Sequence, residues 1–163
     1  VHLRRGWYAF PEYKDKPDFA EYIAGKIYTP SYISLHSALA FYGLIPESVV
    51  QITSVTSLKT ASFTNEFGEY SYKSVKSDLM FGYFHRPIGD GRTTPYATRE
   101  KALLDLLYLY PFYNTKSEIL ELRLDRDILR ENLDRRTWLS MGKRFQCARL
   151  EKRMHLLEKV YGV

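Results

Sequence analysis

Glu66, Glu69, Lys73, Lys76 and Asp78 are the one grouping in this sequence with the residue types of a metal-dependent nuclease. Carboxylates on adjacent strands hold a divalent ion, and a nearby lysine balances charge that develops on a phosphate. The surrounding pattern points elsewhere. Glu66 and Glu69 flank turn residues, and the lysines alternate with tyrosines, as on a solvated strand face. The nuclease is therefore the rival reading. The four histidines, His2, His36, His85 and His155, are scattered and lack paired metal-ligand spacing. His36 lies between Ser34 and Ser37, but neighbours at that spacing on a helix do not face each other as base and nucleophile. It reads as a surface histidine. No phosphate-binding glycine loop, Gly-x-Gly-x-x-Gly or Gly-x-Ser-x-Gly elbow occurs. The sequence thus implies neither cofactor nor metal, and it reads as non-enzymatic.

Phosphate binding without catalysis has broader support. The chain has 163 residues and a net charge of +5, unevenly placed. Residues 1–115 are nearly balanced, whereas residues 116–163 carry 12 Lys and Arg against 8 Asp and Glu. Arg135, Arg136, Lys143, Arg144, Arg149, Lys152, Arg153 and Lys159 face only Glu151 and Glu158 in that stretch, a local net of +6. Such a stripe attracts DNA phosphates, although a merely solvated helical face has the same composition. Arg4 and Arg5 are further candidates for DNA contact. The 14 tyrosines outnumber the 9 glycines, and aromatic packing explains that excess better than base stacking.

The positioning elements follow from period and caps. Ser34 is placed to cap a helix over roughly Ser34–Tyr42, with Leu35, Ala38, Leu39 and Tyr42 as its apolar stripe. Gly43 suits the left-handed residue after that helix, Leu44 can fold back on Leu39, and Pro46 blocks continuation. Residues 48–97 alternate instead. Val50 and Ile52 alternate with Gln51 and Thr53, and Tyr70 and Tyr72 with Ser71 and Lys73. Turn residues at Asn65–Gly68 and Gly89–Arg92 divide this region into an expected antiparallel meander of four or five strands. A second helix, Arg99–Tyr110, is capped by Thr98 and apolar almost all round, which makes it central. Its Asp105 reads as structural, paired with Lys101 or Arg99 or capping a neighbouring backbone. Thr115 to Glu118 has the pattern of a capping box, Asp134 caps a helix carrying Trp138 and Phe145, and Leu150, Met154, Leu157 and Tyr161 line a last helix over Ala148–Tyr161. The expected fold is α+β, a meander packed by helices, with a helical C-terminal third.

Composition removes other classes. The longest apolar stretch, Ala102 to Phe112, is interrupted by Asp105 and falls short of the about 20 residues that a membrane-spanning helix needs. The lone cysteine, Cys147, excludes a disulfide framework and suits a reducing cytoplasm.

Two stretches resemble the AbiEi family of antitoxins: Pro30–Ser34 with Ser37-Ala38-Leu39 and Tyr42–Glu47, and Ala97-Thr98 with Glu100–Leu109. Arg99 stands where many members carry proline, a helix-starting residue. The resemblance implies a predicted transcriptional regulator of viral defence, in a type IV toxin–antitoxin scheme. Its operon also encodes a nucleotidyltransferase-like toxin, which the antitoxin counteracts without necessarily binding it. It further implies that residues 1–10 are the end of a winged-helix domain that reads operator DNA, Leu3–Tyr8 resembling its wing strand. Residues 11–163 are then the AbiEi-like C-terminal domain. A third reading is a protein-interaction module that binds the toxin through exposed Tyr and Phe on the sheet.

Overall fold

The computed structural model describes all of residues 1–163. Strands are β1 (His2–Arg4), β2 (Trp7–Tyr8), β3 (Ser31–Ile33), β4 (Ile52–Thr56), β5 (Ala61–Asn65), β6 (Gly68–Ser74), β7 (Tyr83–Pro87) and β8 (Thr93–Ala97). Helices are α1 (Phe19–Ile27), α2 (Leu35–Phe41), α3 (Arg99–Leu109), α4 (Lys116–Leu120), α5 (Arg126–Asn132), α6 (Arg135–Arg144) and α7 (Ala148–Tyr161). The α+β class and the helical C-terminal third are as expected. No helix is long and apolar enough to cross a membrane.

The sheet departs from a meander. It has six strands in the order β5-β6-β4-β3-β8-β7. The two hairpins are antiparallel, β5–β6 around the Asn65–Gly68 turn and β7–β8 around Gly89–Arg92. Yet β4 pairs with β6 in parallel through its whole length, and β3 meets β8 in parallel at Ile33 and Tyr96. A parallel neighbour ordinarily demands a long crossover. Here β5 runs back along the outside and β6 slots between it and β4, so short turns suffice. Val50 also lies outside β4 and is 87% exposed.

Helices α1 and α3 sit on opposite faces of this sheet. The Tyr72 hydroxyl donates to the Ala24 carbonyl of α1 (2.7 Å), and the Tyr32 hydroxyl donates to Asp105 of α3 (2.8 Å). Burial on both faces explains why Tyr70, Tyr72, Tyr32 and Tyr96 are core residues, with aromatic packing as the use of the tyrosine excess. Helix α3 is central, with Glu100 to Leu107 all buried. Helix α2 ends as its sequence predicts: Gly43 takes φ +72°, Leu44 N–H donates to Leu39 O and Gly43 N–H to Ala40 O. These are the paired bonds of a Schellman motif.

Caps mark the C-terminal helices. Thr115 and Glu118 form the expected capping box, and Asp134 accepts from the Arg136 and Thr137 N–H groups. Backbone donors at Asn114 and Thr115 hold Glu118 below the usual carboxylate range, and those at Thr137 and Arg136 do the same for Asp134. A carboxyl depressed in the folded state adds stability above its unfolded pKa, and that stability is lost as pH falls through the folded value. Acid titration followed by circular dichroism should therefore show a shallower loss of stability in Asp134→Asn than in the parent.

Candidate nucleic-acid interface

The basic residues of the last third sit on the α6–α7 hairpin. Leu150, Met154, Leu157 and Tyr161 bury one side of α7, and Trp138 anchors α6. Arg135, Arg136, Lys143, Arg144, Arg149, Lys152 and Lys159 are all exposed. On α7, Lys152, His155 and Lys159 recur at spacings of three and four, so they share one face. Of the two acids, Glu158 is withdrawn from this surface and Glu151 is exposed on it. Glu158 is turned inward, accepting from the Trp138 indole (2.9 Å), with Arg135 at 3.9 Å. Glu151 shares the cleft between the helices with Lys143 and His155. Arg144 lies over the Phe81 ring, 3.7 Å from its centroid.

Arg153 is a correction to the expected stripe. It is 7% exposed and points into the fold, where its guanidinium donates to Leu107 O and Asn114 Oδ1, each at 2.9 Å. Leu107 is in the last turn of α3, whose carbonyls have no intrahelical partner. Arg153 is thus a helix cap supplied from another helix. Its position, three residues after Leu150 and four before Leu157, places it on the apolar stripe, a signal present in the sequence. Arg4 is likewise committed: it donates to Ile27 O and lies over the Tyr28 and Phe63 rings. Arg5 stays exposed in the β1–β2 turn.

The alternative chemistry is not assembled. Glu66 and Glu69 lie at the start of β6 and Asp78 beyond its far end, a strand roughly 20 Å long. Glu66 pairs with Lys14, and Lys73 lies over the Tyr110 ring. No three His, Cys, Asp or Glu side chains are grouped to share a metal ion. His36 is half-buried rather than on the surface, edge-on to Tyr110, and burial lowers its pKa against the opposing pull of Glu47.

Asp105 anchors a buried polar cluster. Lys101 Nζ donates to Asp105 Oδ1 (2.7 Å), Leu79 O (2.7 Å) and the Tyr32 hydroxyl (2.9 Å). Asp105 Oδ2 accepts from the Tyr32 and Ser34 hydroxyls, both at 2.8 Å. Ser34 therefore precedes α2 as expected, but its hydroxyl serves Asp105 and makes no cap bond. Burial pushes the Asp105 carboxyl up and the Lys101 ammonium down, while each partner pulls the other back toward its charged form. The hydrogen-bond pattern fits the ionised pair, since every ammonium proton has an acceptor. Both side chains are wholly inaccessible. Gly82, at φ +74°, leaves room for the lysine stem, because a Cβ there would lie 2.9 Å from Lys101 Cγ. This cluster is filled and closed to substrate.

No family model, curated protein or solved structure matches this chain. Its surface chemistry carries the functional reading.

Proposed function

We propose that this chain is the non-enzymatic C-terminal domain of an AbiEi-like antitoxin and transcriptional regulator, and that its α6–α7 surface holds DNA by the phosphate backbone. The observation that carries this reading is the exposure of seven cations on one helical hairpin, with Glu158 turned away from solvent. Contacts of this kind position a protein on DNA without reading sequence. In this scheme operator choice belongs to a winged helix preceding the domain. The protein acts in the cytoplasm opposite a nucleotidyltransferase-like toxin, with no resident cofactor.

The test is a salt titration of duplex affinity, comparing the parent with Arg149, Lys152 and Lys159 changed to Ala. Each phosphate that the variant no longer neutralises should flatten the plot of log affinity against log salt by roughly 0.9 and weaken all sequences alike. Identical slopes would assign the stripe to solvent and end the DNA reading. Rescue of cells expressing the neighbouring toxin tests the antitoxin role separately.

A further inference from the structure

The two edges of the six-stranded sheet are treated differently. At β5 the β1–β2 hairpin packs alongside, with Asn65 Nδ2 donating to Leu3 O and Arg4 lying over Phe63. At the opposite edge, β7 pairs only with β8, and four of its five residues are exposed. Bare edges of this kind are templates for another strand.

Backbone parity identifies which groups are free. Thr98 N–H donates to Gly82 O (2.9 Å), and Ile88 N–H donates to Arg92 O (3.0 Å), in the register that opposes Tyr83 to Ala97. The alternation of antiparallel pairs then turns Phe84 and Arg86 toward β8, and Tyr83, His85 and Pro87 outward. Pro87 has no N–H, so the usable edge is Tyr83 to His85. The lysines that natural proteins place on such edges are absent, and the one cation, Arg86, is neutralised by Glu21 and Asp18.

We propose that this edge is a self-association site, where a second copy of the chain adds its own β7 antiparallel across a two-fold axis at Phe84. In that register each N–H and C=O of Tyr83 meets its counterpart on His85 of the second copy, and the reverse. Centring the axis on His85 instead opposes Tyr83 to Pro87, which leaves the Tyr83 carbonyl without a donor. The two-fold also sets Phe84, 42% exposed in the single chain, against its own copy. That is a non-hydrogen-bonded position with Cα atoms about 4.5 Å apart, the closest side-chain approach in a ladder. The strand fits itself, by hydrogen-bond parity and by the apolar ring on the axis.

Sedimentation equilibrium and cross-linking test this. The parent should self-associate as concentration rises. Phe84→Lys sets two ammonium groups against each other, and His85→Pro removes an outward N–H without touching the β7–β8 bonds. Both should weaken association by roughly tenfold or more with an unchanged melting transition. Should His85→Pro fail to fold, Phe84→Lys and the cysteine variants decide. In a Cys147→Ser background, Phe84→Cys should oxidise to a covalent dimer. His85→Cys should not, because its own copy lies diagonally at about 7–8 Å, beyond disulfide reach. A parent that stays monomeric to millimolar concentration overturns the proposal. So does association undiminished in Phe84→Lys, or equal cross-linking at both cysteines.

Discussion

Changing Lys101 to Met should lower stability by about 3–5 kcal/mol, read as a shift of the urea midpoint at constant slope. Methionine fills the slot beside Tyr32, Phe81 and Phe145, whose rings lie 4.4–5.3 Å from the ammonium, so packing is largely kept. What disappears is the counter-charge of a carboxylate with no water around it. The Leu79 carbonyl also loses its side-chain donor. Asp105→Asn also removes a counter-charge, that of the Lys101 ammonium, but its amide oxygen still accepts there, so the expected loss is about 1–3 kcal/mol. The double variant Lys101→Met, Asp105→Leu should recover part of the loss, since replacing both members of a buried pair costs less than orphaning one. A double variant no better than Lys101→Met alone would mean that packing, not charge, sets the cost.

Arg153 gives the second large effect. Arg153→Met should cost about 1.5–3 kcal/mol, since charge-assisted bonds to Leu107 O and Asn114 Oδ1 disappear inside the fold. Its DNA salt slope should match that of the parent. Lys152→Ala should behave in the opposite way, with an unchanged urea midpoint and a flatter slope. These adjacent residues separate stability from phosphate binding, and a flatter slope for Arg153→Met would put its guanidinium on the surface.

What the sequence made legible were features written in a few neighbouring residues. Gly43 with Leu44 ends α2, Thr98 caps α3 through the Lys101 N–H, and Thr115 with Glu118 opens α4. Each depends on residues within one turn. Strand order was not legible, because Tyr70 and Tyr72 present the same alternation whether β6 lies beside β4 in parallel or antiparallel. Helix α1 has a marker that the fold does not use: Asp18 with Glu21 three residues on has a cap pattern, yet Asp18 takes φ +62° and makes no cap bond. Arg153 was misplaced for a related reason. Charge suggests exposure, and only the position of the α3 carbonyls, 46 residues away in sequence, shows what a buried guanidinium is for. The partners of Asp105 were half visible. Lys101 stands four residues away on the same helix, whereas Tyr32 and Ser34 arrive through tertiary folding.

Pro95 limits the peptide ladder at the middle of the sheet. The His85–Pro95 pair does not use its backbone donors, so the missing N–H of Pro95 costs β7 nothing. On the other side it leaves β8 without a donor to continue the ladder toward Ser31, and β3 and β8 meet at Ile33 and Tyr96 alone. The sheet is therefore two plates, one of four strands and one of two, joined by a single backbone bridge. Side chains tie them instead, with Tyr32 stacked on Tyr83 at 4.9 Å, and helix α1 is bonded to both, accepting from Tyr72 at Ala24 O and from Thr94 at Glu21 O. Relative twisting of the two plates is resisted there by side chains and by helix α1, which packs on both, rather than by the peptide ladder.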